Sequence, residues 1–162
     1  MVGMCIMCEG ASHDEVLFDI HGVIDRHGVF IQGVEIDPVE KGWAYTIGLS
    51  DGFDHPEFLI VGLPLNESGR ILNVLSESVM SGKDRYRAGE TLPLPQGKVG
   101  QLVQIRQVHF GRGVLANWNN YYTAIGRKVP RRALQIVEVD TRYCKCHQPH
   151  RLRLDDPSVR LR

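Results

Sequence analysis

The strongest constraint on the fold is the placement of four cysteines in two tight pairs, one near each end of a 162-residue chain. Cys5 and Cys8 form a C-x2-C pair. Cys144 and Cys146 form a C-x-C pair, followed at once by His147 and His150. Thiolates at such spacings reach one ion from a single turn, and zinc takes four of them, or three with an imidazole, at about 2.3 Å from each sulfur. A shell closed by protein ligands leaves no bound water to activate, so such a site is structural or sensory and not catalytic. Cys8 and Cys144 are 136 positions apart (144 − 8), far beyond the short loop of a zinc finger, so the site requires both chain ends to meet. Domain termini often lie close together, and loop-closure entropy grows only with the logarithm of loop length. The expected zinc ligands are Cys5, Cys8 and Cys144, with Cys146 the first choice and His147 the second to complete the shell. Two other readings stay open: a redox-active C-x2-C pair, and four ordinary buried thiols.

The length suits one domain. We expect a single α+β domain over residues 1–154, its termini joined at the metal site, and a flexible tail over 155–162. No apolar run approaches the roughly 20 residues that span a bilayer. The opening Met1 to Met7 is too short for a signal peptide and lacks a basic flank. The chain is therefore expected in the cytoplasm, with no membrane partner. Thiols stay reduced there, which argues against a disulfide framework.

Hydrophobic periodicity sets the expected elements. Ser12 and Glu15 read as a capping box, followed by a helical stripe at Val16, Leu17, Ile20, Val23 and Ile24 that stops at Gly28. Val29–Val34 and Trp43–Leu49 read as strands, Ser50–Pro56 as a polar loop, and Phe58–Val61 as a buried strand. Asn66 is placed to cap a second helix with Ile71, Leu72, Leu75 and Val79 inward and Gly82 at its end. The stretch 83–97 reads as an exposed connection or edge. Val99–Phe110 reads as one long strand, Val114–Ile125 as a third helix, and Ala133–Val139 as a final strand. Runs of strands with helices between some of them imply an α+β fold, a mixed and mostly antiparallel sheet packed by two or three helices. No glycine-rich phosphate loop or dinucleotide fingerprint is present.

Outside the cysteines, chemistry is concentrated in two places. Asp54, His55 and Glu57 form an enzyme-like cluster on a loop, where a carboxylate beside an imidazole suits general base catalysis. A turn is the alternative, with Asp54 capping the loop, Pro56 stiffening it and His55 packed on Trp43 or Phe53. The net charge of zero hides a split. Residues 1–60 hold eleven acids and two bases, a balance of −9, and residues 61–162 hold eight acids and seventeen bases, a balance of +9. Arg127, Lys128, Arg131 and Arg132 are the densest basic cluster, next to the aromatic run Trp118 to Tyr122. On one face they would neutralise RNA phosphates; alternatively the two halves simply pair across the surface.

The blocks Trp43-Ala44-Tyr45-Thr46-Ile47-Gly48-Leu49, Asp54-His55-Pro56-Glu57-Phe58, Val61-Gly62-Leu63-Pro64 and Ala133-Leu134-Gln135-Ile136-Val137 resemble the bacterial domain-of-unknown-function family 4262. The resemblance spans roughly residues 4–140, and the start Cys5-Ile6-Met7-Cys8-Glu9-Gly10 is similar to actinobacterial members. Many members end in an aromatic-Pro-Trp segment where this chain has Arg142-Tyr143-Cys144-Lys145-Cys146-His147. The family name implies no reaction. Some actinobacterial proteins of similar appearance belong with zinc starvation and ribosome hibernation, which implies a ribosome, RNA or hibernation-factor partner. The expected function is a non-enzymatic, zinc-binding regulatory or adaptor protein that acts through a protein partner. A hydrolase-like enzyme at His55 and Glu57, or a thiol-redox sensor at Cys5 and Cys8, are the alternatives.

Overall fold

The computed structural model describes residues 12–35, 42–140, 142 and 152–161. Helix α1 (His13–His27) starts on the capping box: Ser12 N–H donates to the Glu15 carboxylate, and Glu15 N–H donates to Ser12 Oγ. It stops at Gly28, whose φ of 80° allows the left-handed turn into strand β1 (Phe30–Val34). Strand β2 (Trp43–Ile47) is followed by a single helical turn, α2 (Leu49–Gly52), then β3 (Glu57–Val61). Gly48, at φ 125°, joins β2 to α2, and a Cβ there would sit 2.7 Å from the Gly28 carbonyl oxygen. Helix α3 (Leu65–Met80), β4 (Thr91–Pro93), a 3₁₀ turn (Pro95–Gly97), β5 (Val99–Gln104), α4 (Gln107–Gly111), α5 (Ala116–Ala124) and β6 (Ala133–Val139) complete the order.

The six strands form one sheet in the order β1-β2-β3-β6-β5-β4. All neighbours pair antiparallel except β3 with β6, which run parallel from Glu57↔Ala133 to Ile60↔Ile136. Alternation along each strand feeds two cores. Ala44, Phe58, Ile60, Leu134 and Ile136 face α3 through Ile71, Leu72, Leu75 and Val79. Tyr45, Ile47, Leu59 and Ala133 face the opposite side, where Val16 and Ile20 of α1, Phe110 of α4 and Trp118 and Tyr122 of α5 cover them. The α+β fold with a mixed, mostly antiparallel sheet is therefore as expected, and two short helices, α2 and α4, join the three anticipated.

Several local expectations are revised. The long strand ends at Gln104: Ile105 N–H still bonds to Ala133 O, but Arg106 N–H bonds to Leu154 O, and residues from Gln107 turn helical to bury His109 and Phe110. The Ser50–Pro56 stretch is no exposed loop, since α2 occupies its start and Ser50 and His55 are buried. Helix α3 begins after Pro64, so Asn66 lies inside its first turn and not at the cap. The third helix is shorter than Val114–Ile125: α5 runs from Ala116 to Ala124, burying Trp118, Tyr121 and Tyr122, and Ile125 beyond it is 37% exposed. The tail expected over 155–162 is described to residue 161. Leu154 is fully buried in the second core, and Arg106, His109 and Arg112 side chains donate to the carbonyls of Asp155, Asp156 and Pro157.

Candidate functional site

Cys5, Cys8, Cys144, Cys146 and His147 lie outside the described residues, so the proposed metal shell is approached through its flanks. Strands β3 and β6 are parallel and end at the same sheet edge. β2 starts at that edge, with Trp43 opposite Val61, and β1 ends there, with Val34 opposite Trp43. The Gly28 turn folds α1 back over β1, burying Val16 and Ile20, so the first turn of α1 points toward this edge as well. Four neighbouring strands at about 4.8 Å spacing put β1 and β6 about 14 Å apart. Cys8 lies four residues before Ser12 and Cys144 five after Val139. Beside the ends of β3 and β6 opens a cleft of ≈ 200 Å³, lined by Val61, Gly62, Leu63, Val137, Glu138 and Leu152 among others. Leu152 is the first described residue after the second cysteine pair. Among the described residues, no group of three or more His, Cys, Asp or Glu side chains could hold a metal.

His55 and Glu57 are not brought together. His55 precedes β3, in the turn that follows Asp54 at φ 47°, and its ring packs against Phe58, whereas Glu57 opens β3 and faces α5. Glu57 is fully buried on the α5 side. Its Oε1 accepts from the backbone N–H of Gly48 (3.1 Å) and Ser50 (3.0 Å) and from Trp118 Nε1–H (3.2 Å). Its Oε2 accepts from Thr46 Oγ1 (2.6 Å) and Leu49 N–H (3.4 Å). Burial pushes the carboxyl above its ordinary range, against the pull of these donors. Glu57 thus ties β2, α2, β3 and α5 to one point, and neither Glu57 nor His55 lines the cleft. His55 is 1% exposed on the α3 side, tilted against Phe58 and edge-on to Tyr86 at ring separations of 5.1 and 6.1 Å.

The basic cluster is divided. Arg127 pairs with Asp51 at 2.8 Å and Arg132 with Asp54 at 2.7 Å, so two of the four bases are engaged by acids of the first half. The Arg132 guanidinium holds the Asp54 carboxyl below its usual range. Lys128 and Arg131 are exposed. Part of the −9/+9 split is therefore cancelled by pairing across the surface.

Sequence reasoning missed Glu57 as a hub and the cleft at the strand ends. One signal for the first was available: an acid opening an otherwise apolar strand, nine residues after a glycine that ends the previous one. The cleft has no linear signal, because β3 and β6 are 76 positions apart along the chain (133 − 57).

No curated protein and no solved structure matches the chain. The family model described as a domain of unknown function, DUF4262, matches residues 23–143. That span contains every strand and all of α2 to α5, and all four cysteines fall just outside it. The chain belongs to the DUF4262 family.

Proposed function

We propose that this chain is a non-enzymatic zinc-binding regulatory or adaptor protein of the cytoplasm, with Cys5, Cys8, Cys144 and either Cys146 or His147 clipping its two ends together. The supporting observation is topological: the described flanks of both cysteine pairs leave the domain at the edge where β3 and β6 end. The cysteines lie outside the span matched by the family model, in keeping with a metal acquired by one branch of the family. Thiolate ligands must lose their protons to bind, which makes the clip dependent on both zinc supply and pH. With zinc bound, the ends are pinned; without it, they are released for a protein partner or for proteolysis. Exposed Lys128 and Arg131 would supply phosphate contacts if that partner is the ribosome or another RNA, or a hibernation factor bound to it.

The test is metal analysis of the purified full-length protein, then of Cys8→Ser. The expected result is one zinc per chain in the wild type and its loss in the variant. Absence of stoichiometric zinc from the wild type ends this reading.

A further inference from the structure

Residues 81–90 lead from α3 to β4, and Tyr86 at their centre packs against the α3-side core. Tyr86 N–H donates to His55 Nε2 at 3.0 Å, and His55 Nδ1 lies 2.7 Å from the carbonyl oxygen of Pro56. A backbone N–H can only donate and a carbonyl can only accept. These two partners therefore fix one state of the ring: neutral, with the proton on Nδ1. A second proton would sit on Nε2 and face the Tyr86 N–H directly. Tyr86 also meets Phe58 edge-on at 5.5 Å, so the half-buried Tyr86 closes a cluster of three rings over the buried His55 and Phe58.

We propose that His55 is a pH-sensitive latch that holds the α3–β4 connection against β3 and releases it on protonation.

The charges facing the ring come from three segments. Asp54 precedes it, Arg85 lies on the latched connection, and Arg132 leads into β6. Arg85 donates to the Asp54 carbonyl at 2.6 Å, and both arginines pair with the Asp54 carboxylate. Asp84 and the Tyr86 hydroxyl lie on the latched connection and face each other. Glu57 occupies the other side of the sheet, bound to Trp118. Burial opposes a positive charge on the ring, and the two guanidiniums oppose it further, so the ring gains its proton below the ordinary value of about 6.5. The sign follows: the latch is fully closed above the open-state value and is lost as pH falls through the latched one. Between the two values the opening equilibrium rises up to about tenfold per pH unit.

Glu90 and Gly89 bond to Leu102 at the far end of the connection, and Lys83 and Asp84 bond to Ser78 at the near end. Release therefore frees a short central arc, uncovers Phe58 and leaves both ends anchored.

The test follows ring tautomer and amide exchange by NMR in the purified 162-residue protein between pH 7.5 and 5. Expected are an Nδ1–H ring at pH 7.5 and a Tyr86 amide that opens up to about tenfold more per pH unit below about 6.5, beyond intrinsic exchange. The Leu72 amide, in the core of α3, should not follow it. In His55→Gln the pH-dependent opening should vanish. An Nε2–H ring overturns the proposal. So does Tyr86 exchange that follows intrinsic chemistry alone, or that moves together with Leu72 as global unfolding would. The same pH response in His55→Gln, as acid loss of a metal would give, overturns it too. Should His55→Gln fail to fold, the tautomer and the Tyr86–Leu72 comparison in the wild type still decide.

Discussion

Replacing Glu57 by leucine tests whether one buried side chain organises the β2–α2–β3 corner. The change roughly conserves volume, so a purely packing role would make it nearly neutral. The hydrogen bonds say otherwise. Five donors point at the carboxyl: the N–H groups of Gly48, Leu49 and Ser50, Trp118 Nε1–H and the Thr46 hydroxyl. Thr46 Oγ1 already accepts from Phe58 N–H, so its own proton has only the carboxyl to turn to in this network. Each buried donor left unpaired costs about 1–3 kcal/mol. Allowing water or relaxation to rescue some of them, the loss is about 3–6 kcal/mol, a large part of the roughly 5–15 kcal/mol that holds a domain together. Urea unfolding of wild type, Glu57→Leu and Glu57→Gln measures it. The glutamine, which keeps one acceptor oxygen, should fall between the other two. The pH dependence has a fixed sign. Burial raises the Glu57 carboxyl, so the folded state keeps a proton that the unfolded state releases. That contribution is fully present below about 4.5 and is lost as pH climbs through the folded value. Both variants should lack this slope. A leucine variant within about 1 kcal/mol of wild type at neutral pH would refute the reasoning.

Leu154→Ala removes a fully buried side chain from the second core and should cost about 2–5 kcal/mol in urea unfolding. Proteolysis should then start in residues 155–161, whose carbonyls Arg106, His109 and Arg112 hold. Gly48→Ala forces a side chain onto φ 125° and toward the Gly28 carbonyl, so it should cost at least about 1–3 kcal/mol, read as a fall in Tm. An alanine there that leaves Tm unchanged would mean the corner relaxes freely.

The fold was legible wherever local pattern decides. The capping box at Ser12 and Glu15, the inward stripe of α3 and the terminal strand at Ala133 all express a period that neighbours in sequence share. The chain was misread where a distant partner decides. Val99–Phe110 has the composition of a single strand, yet Leu154 draws Arg106 away from the sheet and the next residues coil. His55 and Glu57 look like a pair in sequence, but β3 starts only at Glu57, and the turn at Asp54 before it leaves the His55 ring on the opposite face. For the basic cluster, sequence alone could not show that Asp51 and Asp54 fold back onto Arg127 and Arg132. The cysteine spacing was visible from the start, whereas the convergence of its flanks depends on β6 running parallel to β3.

That parallel pairing also has a consequence during synthesis. β6 lies between β3 and β5, both made before it, and among the described strands it is the last to leave the ribosome. Until residues 133–139 emerge, the nascent chain carries two separate pieces of sheet, the three strands β1–β2–β3 and the hairpin β4–β5, each with an open inner edge. β6 is the keystone that joins them. A chain truncated before residue 133 would keep both edges unpaired, and its expected fate is aggregation or capture by a chaperone, not a smaller folded domain.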